Sequence, residues 1–363
     1  MLKEQDLLNR WESFFLILTT VPIMGHVIIL PLMYDVTGRD SWISALLSFP
    51  IGLALVLCIH QLRRKYPEHR FSVLAEHLLG KLLGKGLVLL LVIYFLFLSA
   101  LSAAALADMI HIAFLPETPA WALVIWFLLF CLYAARKGTK IIALTGMFIG
   151  LFALLTGHSI SFIDMSEKDA NNLLPFLEYG WTPVLWGTAV LISVWIELLF
   201  LLFLPLKNLH RERFLKFWIF GAVGICFTML STMTGTVMIF GMGQTDNFNY
   251  PALETVRILT LGFIDRFDIY GLILMSFGCY IRSSLFFRIC YEQMAPRKTP
   301  NRWVKQVVFW GLGILINALS ILIGQNFFRV KYFTILYTNA ILLTPIPFLL
   351  LLISWIKEKT GSK

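Results

Sequence analysis

The 363-residue chain is 58% hydrophobic and only 14% charged, with a mean hydropathy of +0.79. Soluble domains carry about one quarter charged residues, which excludes a soluble globular fold. The formal charge of +9 is accounted for by basic loops on one side of a membrane, so nucleic acid is not called for as a partner.

Apolar runs of about 18 residues or more, enough for roughly 30 Å of hydrocarbon, recur at about 12–34, 41–62, 86–112, 119–135, 139–158, 184–206, 216–240, 269–291, 306–325 and 333–356. The predicted fold is an all-α integral membrane protein of ten transmembrane helices, one polytopic domain over 1–363. The first run is longer than the apolar core of a cleavable signal peptide. With the N-terminus inside, 24 of the 30 Lys and Arg fall on the inner side, Arg282 and Arg288 of the eighth run included; only Arg39, Lys168, Arg257, Arg266, Arg329 and Lys331 lie outside. Both termini are therefore expected to be cytoplasmic. Ten divides into five and five, so the second half enters from the opposite side. That is the arithmetic of an inverted-topology repeat of the LeuT type, about 1–158 and about 184–356, with discontinuous helices 1 and 6.

In chain order, the first run is interrupted at its centre by Val21-Pro22-Ile23-Met24-Gly25-His26. Pro22 removes an amide and frees carbonyls of the preceding turn, and Gly25 permits close approach. Freed carbonyls can hold a cation or an ammonium group, and freed amides a carboxylate; the alternative is a proline kink that only shapes packing. His26 is either a ligand contact or a hydrogen-bonded neutral ring. In the third run, Ser99 to Ala105 is a small-residue segment suited to close helix packing, with Ser102 a second choice as a pocket residue.

The sixth run holds Glu197 near its middle, with Ser193 and Gly187 before it and no central Pro or Gly. A carboxylate at that depth costs about 2.5–3.5 kcal/mol on insertion scales, so it is expected to face a polar cavity or a partner. No basic residue is expected at comparable depth. The eighth run carries Ser276, Gly278, Cys279, Tyr280, Ser283 and Ser284, suited to a ligand, an ion or inter-helix hydrogen bonds. Two long outer segments follow the fifth and seventh runs. In the second, Leu253, Val256, Leu259 and Phe263 share a helical face after Pro251, which predicts a short surface helix. The five cysteines fall inside the runs without ligand spacing, so neither a disulfide framework nor a metal site is expected. No enzyme motif is present, and no cofactor is implied.

Four places resemble the B subunits of bacterial spore germinant receptors, the GerAB-like spore germination proteins of the amino acid–polyamine–organocation superfamily. They are Gly25 to Pro31; Glu178 to Pro183 with Glu197 and Pro205; Ile264 to Asp268; and the last helix with Tyr337, Pro345 and Pro347. The resemblance implies a multi-pass subunit in the spore inner membrane that binds a small nutrient, an amino acid or similar. It further implies A-type and C-type (lipoprotein) partner subunits. The expected ligand position is the midplane between helices 1, 3, 6 and 8, with Val21, Pro22, Gly25, His26, Ser102, Ser193, Glu197, Ser276 and Tyr280 as candidates. A secondary amino-acid permease of the same fold is the alternative.

Overall fold

The computed structural model describes residues 6–67, 70–207, 213–259, 267–295 and 301–359. The resembling segment Ile264 to Arg266, Phe263, and the basic residues Lys3, Arg211, Arg297, Lys298 and Lys363 lie outside them. Among the described residues ten helices are long and apolar enough to cross a membrane. Among the described residues, the one extended pairing is a parallel bridge between Leu8 and Leu206.

The first apolar stretch becomes α1 (Arg10–Ile23), a π-helical turn (Met24–Ile28) and α2 (Leu30–Thr37); the second becomes α3 (Ser41–Lys65). A short helix, α4 (Phe71–Leu79), precedes α5 (Lys81–Ala113), α6 (Ala120–Lys137) and α7 (Thr139–Ile163). The sixth stretch is α8 (Trp181–Trp195) continued by a 3-10 segment (Ile196–Leu202), and the seventh is α9 (Phe214–Phe240). The connection after it holds α10 (Met242–Thr245) and α11 (Pro251–Arg257). Then come α12 (Asp268–Met294), α13 (Arg302–Ile323), α14 (Phe327–Tyr337), a 3-10 segment (Thr338–Leu343) and α15 (Pro345–Lys359).

α1 starts with a capping box: Asn9 accepts from the Glu12 amide while the Glu12 carboxylate accepts from the Asn9 amide. Helices α1, α5, α8 and α12 form the buried centre. In α1, 78% of the apolar window lies inside the protein, against 22% in the last helix. The outer helices turn large apolar side chains such as Trp126, Phe148 and Ile314 outward, which is stable only against lipid. At the centre, α5 meets α12 through small residues. Ser99 Oγ donates to the Ser283 carbonyl at 3.0 Å and Ser283 Oγ returns a bond to the Ser99 carbonyl at 3.3 Å. The small-residue run of the third stretch thus lets the two backbones approach.

The two interruptions differ in kind. In α1 the helix is not unwound: Pro22 is followed by one wide turn, closed by the Ile29 amide on the Met24 carbonyl at 3.0 Å. In the sixth stretch the helix tightens after Trp195 instead. Trp195 donates to Ser48 Oγ at 3.0 Å and lies against Gly52 of α3, where a Cβ would collide with the indole. The predicted surface helix is α11, and its apolar side is seated on the bundle, with Leu253, Val256 and Leu259 all buried. At its start Tyr250 donates to Asp108 at 2.7 Å. Burial first, and the Asp108 carboxylate second, push the Tyr250 hydroxyl well above its usual range, so it remains a donor.

Candidate functional site

Glu197 sits in the first turn of the 3-10 segment with none of its surface exposed, and Arg282 of α12 is equally buried opposite it. The guanidinium and carboxylate meet fork to fork: Arg282 Nη1 donates to Glu197 Oε2 and Nη2 to Oε1 at 2.6 Å. This corrects two expectations. Arg282 does not belong with the basic residues at the inner membrane edge, and a basic residue does lie at the depth of Glu197. The sequence places Arg282 in the middle of α12, more than three turns from either end of that helix, which is the signal that charge counting by side passed over.

The pair is tied into four further groups. Arg282 Nε donates to Ser102 Oγ of α5 at 2.6 Å, while Ser102 spends its own proton on the Leu98 carbonyl. Arg282 Nη1 also donates to the Thr20 carbonyl at 2.9 Å. That carbonyl is available because the Met24 amide bonds Val21 rather than Thr20. The Tyr337 hydroxyl lies 2.8 Å from both Glu197 Oε1 and the Ser193 carbonyl, sharing one proton between two acceptors. Ser193 Oγ in turn donates to the Thr338 carbonyl at 2.6 Å. Phe286 covers the guanidinium at 5.0 Å. Buried charges are tolerated only when their hydrogen-bonding groups are met, and here five elements meet them. The carbonyl freed by the α1 interruption thus carries a cation of the protein itself.

On the other side of the same turn of α1 is a cavity of about 200 Å³. Thr19, Pro22, Ile23 and His26 form one wall; α7, α9, α11 and α12 supply the others. His26 Nδ1 donates to the Pro22 carbonyl. Thr19, Thr228, Thr232 and Thr236 each donate to the carbonyl four residues back, at 2.7, 2.9, 3.1 and 3.0 Å. Thr255 donates to Ala252 at 2.8 Å. With their protons engaged, these hydroxyls present lone pairs to the cavity. Asp164 closes its far end, paired with Lys168 at 2.5 Å, and Lys168 also donates to the Ser161 carbonyl at 2.9 Å. The lining is apolar with a set of acceptors, which suits a small molecule that brings hydrogen-bond donors.

Ser102, Ser193 and Glu197 therefore come together in the buried network, and Pro22 and His26 line the cavity. Val21 is fully buried between them, and Gly25 packs on Met229 and Val194 of neighbouring helices. Ser276 and Tyr280 are half-buried and belong to neither group; the Tyr280 carbonyl accepts from Cys131 at 3.9 Å. Helical spacing explains this, since Gly278 and Arg282 face α1 and residues two positions away point elsewhere. Nothing in the sequence marks the cavity threonines, because a hydroxyl on an apolar helix reads as packing. Among the described residues, no cluster of three His, Cys, Asp or Glu could hold a metal ion.

A family profile described as "Spore germination protein" matches residues 7–328. Similar proteins include Spore germination protein XB of Bacillus anthracis, 26% identical over 97% of this chain and 99% of that protein. Spore germination protein KB of Bacillus subtilis (strain 168) is 25% identical over 81% of this chain and 79% of that protein. Spore germination protein GerQB of Bacillus cereus is 23% identical over 72% of each.

Proposed function

Because this chain belongs to the spore germination protein family, we propose that it is the nutrient-sensing membrane subunit of a germinant receptor. It binds a small amino acid or similar nutrient within the bundle and passes the change to A-type and C-type (lipoprotein) partner subunits. The observation that carries this reading is that the cavity and the buried ion pair share one turn of α1: Thr19 and Pro22 line the cavity, and the Thr20 carbonyl holds Arg282. A ligand seated against that turn shifts the backbone on which the ion pair rests. For signalling, it has to bind the two arrangements of that turn with different affinity.

The ligand position differs from the one the sequence suggested. The space between α1, α5, α8 and α12 is taken by the Arg282 and Glu197 side chains, so we assign the nutrient to the neighbouring cavity. Its acceptor lining suits the ammonium group of an amino acid. We extend the proposal to a spore inner-membrane location with both termini cytoplasmic, and to two inverted five-helix halves, about 1–158 and about 184–356.

The test is a dose response. Spores lacking the chromosomal copy are complemented with wild type or with Thr232→Val and Thr19→Val, and half-maximal germinant concentration is read at matched subunit abundance. A severalfold rise in the variants supports the cavity, and unchanged potency removes it. Accumulation of labelled amino acid in vesicles containing this chain alone would favour the permease reading, for which the interrupted helices supply the physical motive.

A further inference from the structure

The glycines that line the cavity beside α1 do not all serve packing. Gly150 of α7 and Gly278 of α12 do: a Cβ at Gly150 would lie 2.7 Å from Phe15 Cδ1, and one at Gly278 would collide with Ile23. Both let their helices close on α1. Gly157 of α7 is different. A Cβ there would meet Leu274 Cδ1 at 4.0 Å and nothing else beyond its own turns of helix, among the described residues. Alanine is the better helix residue and would fit, so packing does not call for glycine here. The space that Gly157 leaves open belongs to the cavity, which Leu274 borders from α12 and Ala153 and Leu154 from α7.

A second observation lies just past the end of α7. Asp164 lines the cavity there and is 5% exposed. Its Oδ1 has the Lys168 ammonium at 2.5 Å and, among the described residues, no hydrogen bond. Lys168 is engaged elsewhere as well, donating to the Ser161 carbonyl at 2.9 Å and to Ser161 Oγ at 3.1 Å. A carboxylate accepts up to about four hydrogen bonds, so Asp164 can take a donor arriving from the cavity. A ligand bringing a cation alone would add net charge to this buried pair, which desolvation penalises. A ligand with both an ammonium and a carboxylate adds none. Gly157 precedes Asp164 by about two turns, roughly 10 Å along the axis. That is the reach of a carboxylate side chain, a hydrogen bond and a short hydrocarbon chain set end to end.

We infer that Asp164 and Gly157 set the specificity of this cavity. Asp164 receives the ammonium of a zwitterionic ligand, and the space over Gly157 holds the ligand's hydrocarbon side chain and limits its size. Once Asp164 is shared with that ammonium, the ligand's own carboxylate offsets the Lys168 charge. These roles rest on the cavity being the nutrient site, as proposed above, and divide its recognition between one residue that reads charge and one that reads size.

The experiment is calorimetric titration of the full chain in neutral detergent with L-alanine, L-valine and L-leucine. Isobutylamine and isovalerate serve as valine lacking its carboxylate or its ammonium. Valine should bind about tenfold tighter than either analogue, a comparison that needs no variant. Gly157→Val should weaken leucine about tenfold and alanine by less than about twofold. Gly157→Ala, which the helix accepts, should show the same order over a smaller span. Asp164→Asn should weaken all three amino acids by a similar factor, about tenfold, and leave their order unchanged. An analogue as tight as valine, equal effects on alanine and leucine in both Gly157 variants, or wild-type affinity in Asp164→Asn would each overturn the assignment while leaving the cavity as the nutrient site. Failure of all three amino acids to bind the wild-type chain would remove the cavity reading and this assignment together.

Discussion

The Thr20 carbonyl of α1 accepts from Arg282 of α12 at 2.9 Å, in place of the backbone amide that a regular helix would supply. A defect in one helix is thereby completed by a side chain from another, 262 residues away. The interruption and the ion pair are one structural unit.

Removing one charge of the pair leaves the other buried without a partner, which costs about 3–5 kcal/mol. Glu197→Gln and Arg282→Met should each lower the thermal midpoint of the purified protein strongly. Combined as Glu197→Gln with Arg282→Met, they should recover a large part of the loss, because no charge then remains to be stranded. A double variant as unstable as the sum of the singles would show that the two residues are not coupled.

Gly25 has no room for a side chain: an added Cβ would lie 2.7 Å from Met229 Sδ and 3.3 Å from Val194 Cγ1. Gly25→Ala should therefore displace the π turn, costing about 1–3 kcal/mol, and raise the half-maximal germinant concentration. Met229→Ala in the same chain should relieve the collision and restore most of the response. Failure of that rescue would place the effect of Gly25→Ala in the backbone rather than in packing.

Tyr250→Phe removes the donor to Asp108 and leaves a buried carboxylate oxygen without its partner at 2.7 Å. The expected cost is about 1–3 kcal/mol, seen as faster backbone amide exchange in α11 than in the bundle centre. Uniform exchange across both regions would mean that the bond does not hold α11 down.

Cysteines placed at Asn171 and Asn247, in the two long connections, should react with a membrane-impermeant thiol reagent from the outer side. One at Tyr66, in the connection after α3, should not. The reverse pattern would invert the orientation deduced from the basic residues.

The ten helices, the interruption after Val21 and a buried, partnered Glu197 are legible because each rests on a local property: length, a proline, a charge in an apolar run. Arg282 was misplaced because the counting of charges by side treats every Lys or Arg of a run as belonging to its nearer edge. Its position in α12 already argued otherwise. The cavity was not legible at all. It is made by α1, α7, α9, α11 and α12 together, and its threonines acquire meaning only from the neighbours they face. Tyr337 was noted for its likeness to a family helix, yet its reach to Glu197 spans 140 residues that no periodicity can fold.

Arg282 follows Glu197 by 85 residues. A chain threaded into the bilayer from its N-terminus delivers the carboxylate two crossings before the guanidinium. A lone acid in hydrocarbon costs about 2.5–3.5 kcal/mol, and the guanidinium that offsets this cost is the later of the two in the chain. The centre of the bundle is therefore complete only once α12 is in place.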